Sequence, residues 1–587
     1  MIVGYDFEVF RYNWLLKAID AQTGKVTTIW DDADALRDFY EKNKTGVLVG
    51  FNSRQYDIYI MQAILCGYSA WDMNEHIIVK GRDGYTFSSM LRKFPINNFD
   101  CLVGFNGLKT LEAFMGKSVV ETSVPFDIDR PLTPQEKKMT EFYCESDVEN
   151  TLNVFLERYE EFESHLALIK MFDLPLSDIG KTKAQLSAKI LGARRVKRKD
   201  EFDIHFPENL QIGRYQAVLD FFKNDWNYDK SLVIDVAGIP HCYGTGGIHG
   251  AKGNVKSWSK NKSEWYIDPK KQIPYVSDGE FLHIDVASYY PSLMIEYPEY
   301  CMSRNIPDPF KFREIRDKRV AYKREKNKLA APLKIVLNST YGATKDRFNP
   351  LYDPRQANHT CIWGQLFLTD LIDKLEDHCE IINSNTDGLI VKIDGNYDEI
   401  VDIVHKFEER THLTFEIDRA VRIIQRNVNN YACVMEDGKV ESKGGMLKQP
   451  KLLDNDLPIV QKAVLANLIE GKNVEDIIFG CDDLIEFQKV YKLSSAFDYV
   501  THNGQRYTNK CYRVFASRSV KDGILYKYKN ESPNKFANCP DRVKIVNEDI
   551  IGVKVPMWLD KKWYVDEAYK RINRFYAEGD SEDDKTA

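Results

Sequence analysis

The chain has 587 residues, 43% of them hydrophobic, 29% charged and 12% aromatic, which is apolar material for three or four domains of roughly 150 residues each. No stretch approaches the roughly 18–20 uncharged apolar residues of a transmembrane helix, and the start Met1-Ile-Val-Gly-Tyr-Asp6 lacks the basic and apolar regions of a secretion signal. Eleven scattered cysteines with no CxxC pair argue against a disulfide scaffold or zinc ribbon and for a reducing cytosol, and a net charge of −7 requires any nucleic-acid surface to be local.

The first segment reads as an α/β domain over about 1–165, with apolar strands at Ile2-Val-Gly-Tyr-Asp-Phe7, Asn13 to Ile19 and Thr45 to Phe51. A helical pattern from Lys181 to Leu191 ends in the basic run Arg194-Arg-Val-Lys-Arg-Lys199, expected as a solvated connector, with DNA backbone contact as the alternative. Strands return over 230–300 around the glycine cluster Tyr243-Gly-Thr-Gly-Gly-Ile-His-Gly250, which requires a turn or a close backbone approach. A single helical run is expected from Lys311 to Leu337, where residues 311–334 carry ten Lys or Arg against three acids. Such an excess suits a solvated helix face and phosphate contact equally. Residues 362–398 read helix, strand, turn, strand, and the end Gly579-Asp-Ser-Glu-Asp-Asp-Lys585 reads as a disordered acidic tail.

Two constellations carry chemistry. Asp6 and Glu8 stand two apart in a strand, so both carboxylates leave one face and can bridge a metal site. Asp57 and Asp147 are the candidates to complete it, and Tyr143 lies four residues before Asp147 on one helix face. Such a set suits two-metal phosphodiester hydrolysis, with the phenol orienting the attacking water. In the second constellation a strand delivers Asp285 just before a break at Pro291, and Asp387 sits in a turn between two strands. Between them in sequence, Lys334, Asn338 and Tyr341 fall at i, i+4 and i+7, presenting a cation, an amide and an aromatic face to one ligand, as a nucleoside triphosphate requires.

In this order Asp6-x-Glu8, Asn52 to Asp57 and Tyr143-x-x-x-Asp147 resemble the three motifs of the DnaQ-like 3'-5' proofreading exonuclease domain. The resemblance implies Asp6, Glu8 and Asp147 as metal ligands, Asp57 as supporting acid, and Asn52 and Tyr56 as contacts to a frayed 3' strand. Leu108 matches a further single-strand-binding motif, whose hydroxyl residue is here Gly107. With DxxSxYPS at 285–292, KxxxNSxYG at 334–342 and the pair Thr386-Asp387, the chain resembles the family B DNA polymerases of the compact phage type over roughly residues 1–450.

That resemblance implies an α/β multidomain fold with a DnaQ/RNase H-like exonuclease domain and a right-hand polymerase. Its expected parts are exonuclease and connector at 1–190, palm at 191–300, short fingers at 301–345, palm again at 346–445, and thumb with acidic tail at 446–587. It implies two magnesium ions per site, with manganese as alternative, held in the polymerase by Asp285 and Asp387. Ser288, Tyr289, Tyr290, Lys334, Asn338 and Tyr341 are implied at the nucleotide, Tyr290 as the steric gate against a 2'-OH. Arg319, Lys323 and Lys326 are candidates for further phosphate contacts. Gly246, Gly247, Gly342, Tyr431 and Lys443 are implied at DNA.

The chain departs from the family at three motifs. Asn385-Thr-Asp-Gly388 stands for Asp-Thr-Asp-Ser; Tyr243 is one residue too far from Gly246-Gly247; and Asn429-Asn-Tyr431 lacks the lysine before the tyrosine, which Lys443 on a neighbouring strand is expected to replace. Only 49 positions separate Asp285 from Lys334, and 53 separate Lys334 from Asp387, leaving no room for the insertions of protein-primed relatives. The resemblance implies a cytoplasmic monomer replicating a phage genome. It extends an ordinary primer on template DNA with dNTPs, displaces strands poorly, and relies on a helicase, single-strand-binding protein or clamp. The alternatives are a nuclease on a polymerase frame and a DNA-binding fold without chemistry. A ribonucleotide polymerase conflicts with the bulky Tyr290. His249 and His283 read as ordinary turn or core histidines.

Overall fold

The computed structural model describes residues 1–102 and 104–578; the acidic tail lies outside them. Two compact units result: residues 1–181 with 450–462 and 475–566, and residues 182–449 with 463–474 and the described residues from 567 on. The first boundary thus falls at 181/182 rather than 190/191, and residues 446–587 do not form a unit by themselves. No helix among the described residues is long and apolar enough to cross a membrane, and all eleven cysteines are free thiols.

The first unit is built on a five-stranded sheet, β1 (Ile2–Val9), β2 (Trp14–Asp20), β3 (Val26–Trp30), β4 (Val47–Gly50) and β5 (Asn98–Asp100), in the order β3-β2-β1-β4-β5. β1 runs antiparallel to β2 and parallel to β4. Strand alternation sends Val3, Tyr5, Phe7 and Val9 into one core layer, which leaves Gly4, Asp6 and Glu8 on the opposite face. Helix Pro134–Glu157 covers that face. It starts at a capping box in which Thr133 and Glu136 bond each other's backbone N–H, with Pro at the first helical position. It passes so close to β1 that a Cβ on Gly4 would lie 2.7 Å from Leu152 Cγ. This approach lowers Tyr143 and Asp147 onto the two strand acids.

The C-terminal segment adds two small sheets to the same unit. β17 (Lys489–Lys492), β20 (Cys511–Ala516) and β23 (Val543–Ile545) form one; β18 (Tyr499–His502), β19 (Gln505–Tyr507), β21 (Tyr526–Lys529) and β22 (Ser532–Lys535) form the other. Arg513 on β20 is fully buried. Its guanidinium donates to the carbonyls of Ala113 (3.1 Å), in the last turn of helix Leu108–Phe114, and of Lys117 (3.0 Å), just past it, and to those of Val546 (2.9 Å) and Glu548. Burial pulls its pKa down to about 10. The four carbonyls supply the hydrogen bonds without which a buried charge is not tolerated.

The second unit centres on a nine-stranded sheet. Its strands are β6 (Leu232–Val236), β7 (Ile239–Tyr243), β8 (His249–Ala251), β11 (Tyr275–Val286), β12 (Glu380–Asn385), β13 (Gly388–Ile393), β14 (Phe415–Asn427), β15 (Asn430–Met435) and β16 (Val440–Lys443). They run in the order β16-β15-β14-β11-β13-β12-β8-β7-β6, so two strands from distant sequence, β11 and β13, become neighbours in the middle. A separate hairpin, β9 (Lys256–Ser259) and β10 (Glu264–Ile267), interrupts the path from β8 to β11. Helix Pro354–Leu375 is buried along nearly its whole length, and its buried polar side chains find partners there, as Asp370 does with Arg410 and Gln365 with the Gly244 carbonyl.

Two sequence expectations are corrected here. Residues 311–337 are not one helix but two, Phe310–Arg324 and Ala330–Lys345. The break lies at Lys326 (φ 55°), followed by a turn in which Asn327 Oδ1 accepts from the Leu329 N–H just before the second helix. The basic run 194–199 is not wholly solvated. Arg198 donates to Asn305 (2.6 Å), Arg194 N–H to the Asn305 carbonyl (2.9 Å), and the Arg195 guanidinium lies 5.3 Å from the Tyr352 ring centre.

Two buried imidazoles make this unit acid-sensitive. His359 Nε2 accepts from His205 N–H (2.9 Å), which requires a neutral ring, while His241, fully buried, donates Nδ1–H to the Ile239 carbonyl (2.8 Å). Burial depresses them to about 3 and about 4. Each depressed ring contributes stability that is fully present above its unfolded pKa near 6.5 and is lost as pH falls through 6.5 toward 3–4, about 1.4 kcal/mol per pH unit per ring. Denaturant midpoints should therefore fall less steeply between pH 6.5 and 4.5 in His359→Asn than in the unmodified chain; parallel slopes would refute this origin.

Candidate functional site

In the first unit, the predicted acids converge. Glu8 (6% exposed), Asp57 (3%) and Asp147 (7%) are buried, and Asp6 is partly so. Donor atoms of Asp6, Glu8 and the buried thiol of Cys144 lie within 4.8 Å of one another. Asp57 opens helix Asp57–Leu65 and accepts the Phe7 N–H at 3.1 Å, which fixes it beside Asp6 and Glu8 on β1. Loss of water, then mutual repulsion, pushes Asp6 and Glu8 well above the usual carboxylate range, and burial carries Asp57 up to about 7. Carboxylates crowded in this way, beside a single thiol, fit a hard divalent cation, magnesium or manganese alike.

The sequence gives no warning of the ammonium at this site. Lys109, next to the expected Leu108, pairs with Asp147 and with Glu112 (3.0 Å), and its Nζ lies 4.6 Å from the Tyr143 ring centre. Burial pulls the Lys109 ammonium down, but Asp147 and Glu112 outweigh that and hold it above its ordinary range. Glu112 is fully buried, and desolvation lifts it to about 7 despite Lys109. The readable signal is that Lys109 and Glu112 stand i, i+3 on one short helix; nothing in that spacing points them at Asp147. Asn52 adopts φ 57°, and Asp100 accepts the N–H groups of Asn52 (2.9 Å) and Arg54 (3.0 Å), which shapes the loop leading to Asp57. Tyr56 donates its hydroxyl to Asn74 at 2.7 Å.

In the second unit, Asp285 and Asp387 line a single cavity of about 180 Å³ together with Asn385, Gly388, Tyr431 and Lys443. Asp285 pairs across the sheet with Gly388 on one side and Glu416 on the other. The turn carrying Asp387 is held by Val286 N–H to the Asp387 carbonyl (2.8 Å) and Thr386 N–H to the Ile248 carbonyl (2.9 Å), with Thr386 at φ 49°. Burial first, then the charge of Asp387, raises Asp285 to about 7. Tyr431 and Lys443 are direct cross-strand partners, so Lys443 stands beside the tyrosine whose own motif lacks a lysine.

The departures have structural reasons. Asn385 donates to the Val428 carbonyl at 2.9 Å, tying β12 to the β14–β15 turn. A Cβ on Gly388 would lie 2.5 Å from Asp285 Oδ1, so glycine leaves that carboxylate its room. A Cβ on Gly247 would lie 2.3 Å from Thr386 Oγ1, so this glycine lets the loop reach the Asp387 turn. Gly246 and Gly342 meet no such constraint. Tyr243 is fully buried and accepts a hydrogen bond from Thr369, which places it in the core. His249 lies 3.3 Å from Thr386 Oγ1, and His283 lines the acid cavity 3.5 Å from Glu441.

Of the expected nucleotide contacts, Lys334, Asn338 and Tyr341 share one side of helix Ala330–Lys345, the first two exposed. The Tyr341 ring lies 4.1 Å from that of Tyr290. Tyr289 instead turns inward, donating its hydroxyl to the Gly364 carbonyl at 2.7 Å. Ser288 takes the left-handed conformation that turns the chain from β11 into helix Tyr289–Glu296. Lys323 comes within 4.0 Å of Glu416, beside Asp285, while Lys326 is in the interhelical turn and Arg319 is on the first helix of the pair.

Two carboxylate clusters of the kind that hold hard divalent cations, one in each unit, thus define the chain. No family profile matches it. It is similar in sequence to "DNA polymerase 1" of Sulfurisphaera ohwakuensis, 22% identical over 286 residues that cover 46% of this chain and 30% of that protein. "DNA polymerase 1" of Saccharolobus solfataricus is 23% identical over 228 residues, 37% of this chain and 24% of that one. "DNA polymerase 1" of Sulfolobus acidocaldarius is 21% identical over 194 residues, 32% and 21%. The chain therefore matches less than a third of the length of these relatives. Among solved structures it is similar to the family B DNA polymerase from the hyperthermophilic archaeon Pyrobaculum calidifontis, with a TM-score of 0.42 and 15% identity over 98% of this chain and 78% of that one.

Proposed function

We propose that the chain is a template-directed DNA polymerase with a 3'-5' proofreading exonuclease. The observation that carries this reading is the meeting of Asp285 and Asp387 in one cavity with Tyr431 and Lys443. Divalent ions held by Asp285 and Asp387 would supply Lewis acidity for phosphoryl transfer. The chain's own groups do the rest. Lys334 takes the triphosphate charge, Asn338 offers a hydrogen bond, and Tyr290, braced by Tyr341, closes the space a 2'-OH would need. Tyr431 and Lys443 hold the primer end. In the first unit Asp6, Glu8 and Asp147 would hold the ions that activate water, with Asp57 as supporting acid, and Tyr143 orients that water. Lys109 offsets part of the buried negative charge. The short spacing between motifs favours an ordinary nucleic-acid primer and dependence on a helicase, single-strand-binding protein or clamp, and the family resemblance points to phage genome replication.

The test is extension of a 5'-labelled primer on a longer template with magnesium, with and without dNTPs. Extension with dNTPs and shortening without them are expected. Shortening in both cases would leave a nuclease on a polymerase frame, and no change in either would end the reading.

A further inference from the structure

The hairpin β9–β10 presents an unusual surface. Trp258 and Trp265 are direct cross-strand partners, ring centres 5.4 Å apart, yet 49% and 45% exposed. Tyr266 beside them is 39% exposed. Residues 256–271 carry five lysines against two acids in a chain whose net charge is negative. Lys260 and Lys262 stand exposed at the tip, Lys262 3.6 Å from Glu264. A cross-strand tryptophan pair stabilises a hairpin by itself, but that role does not call for lysines around the rings.

The hairpin's place in the sheet indicates an occupant. It leaves from β8, which borders the Asn385 end of β12, and returns to β11, which carries Asp285. Lys256 pairs with Asp235 of β6, which holds the hairpin on the β8-β7-β6 side of the acids. Tyr431 and Lys443, assigned above to the primer end, lie on the β14-β15-β16 side. We infer that the hairpin binds the unpaired template strand ahead of synthesis, its bases stacking on Trp258 and Trp265 and its phosphates meeting Lys260 and Lys262. Flat aromatic faces among cations suit single strands of any sequence, because every base has a face to stack. Paired bases hide those faces, so duplex DNA gains nothing here. The inference rests on the polymerase reading and adds a template-strand site to it.

The test is equilibrium binding of the full chain, in EDTA, to one primer duplex whose template overhangs by two or by twelve nucleotides. The unmodified chain should bind the long overhang about tenfold more tightly. Trp258→Ala/Trp265→Ala should bind both DNAs as the unmodified chain binds the short one, with an unchanged thermal unfolding profile. Trp258→Phe/Trp265→Phe, which keeps flat rings, should retain most of the gain, and Lys260→Glu/Lys262→Glu should lose it. A double alanine variant that keeps the full gain overturns the inference, as does an unmodified chain that binds both DNAs tightly without regard to overhang. Failure to bind either DNA would instead overturn the polymerase reading.

Discussion

Replacing Asp387 by Ala should abolish primer extension, by about a thousandfold or more, while leaving shortening of the primer without dNTPs unchanged. The turn carrying Asp387 is fixed by backbone hydrogen bonds to Val286 and Ile248 rather than by its own carboxylate, so the loss reports chemistry and not folding. The variant also removes the charge that, after burial, does most to raise Asp285. Asp285 should then titrate at lower pH in Asp387→Asn, while metal affinity still falls because one of two ligands is gone. Magnesium titration by calorimetry, alongside extension assays, separates these effects. Residual extension within tenfold of the unmodified chain would mean that Asp387 is no ligand.

Asp6→Ala should have the reverse profile, with shortening lost by about a thousandfold and extension retained. It should also stabilise the metal-free protein. Burial and repulsion from Asp57 and Asp147 hold the Asp6 carboxyl well above its ordinary range, so its ionised form opposes folding at neutral pH. Carboxyls with raised folded pKa values lower stability as pH rises from the unfolded value near 4 through the folded one. In EDTA at pH 7.5 the variant should therefore unfold at a higher temperature than the unmodified chain, and magnesium should narrow the gap by binding the unmodified chain preferentially. Equal or lower unfolding temperatures in EDTA would contradict the picture of a strained acid cluster. An enzyme that gains stability on losing a functional acid shows the usual conflict between folding and function.

Much of both sites was legible because strand alternation and helical spacing are local. Asp6 and Glu8 had to share a face, Tyr143 and Asp147 had to share a turn of helix, and Lys334, Asn338 and Tyr341 had to line up. Lys443 beside Tyr431 was legible through the short hairpin that joins their strands. What sequence hid depends on contacts between distant segments. Lys109 reaches Asp147 from another helix. Tyr289 and Tyr290 are adjacent and chemically alike, yet one is spent on the Gly364 carbonyl and the other faces Tyr341. Gly388 differs from the family pattern because of a carboxylate more than a hundred residues earlier in the chain. The long charged run 311–337 read as one helix because its break uses Lys326, a residue with no turn signature of its own.

The buried Arg513 carries a consequence for how the protein is made. The Ala113 and Lys117 carbonyls that it satisfies lie in the last turn of the helix bearing Lys109 and just past it. During translation those carbonyls leave the ribosome about four hundred residues before their partner. At roughly 5–20 residues per second the wait is about 20–80 s. The first unit, whose N-terminal part is synthesised first, thus cannot complete these contacts until β20 has been made. Until then the helix bearing Lys109 lacks the partner of its last carbonyls, and a nascent chain cut short before β20 carries Asp6, Glu8, Asp57 and Asp147 without that brace.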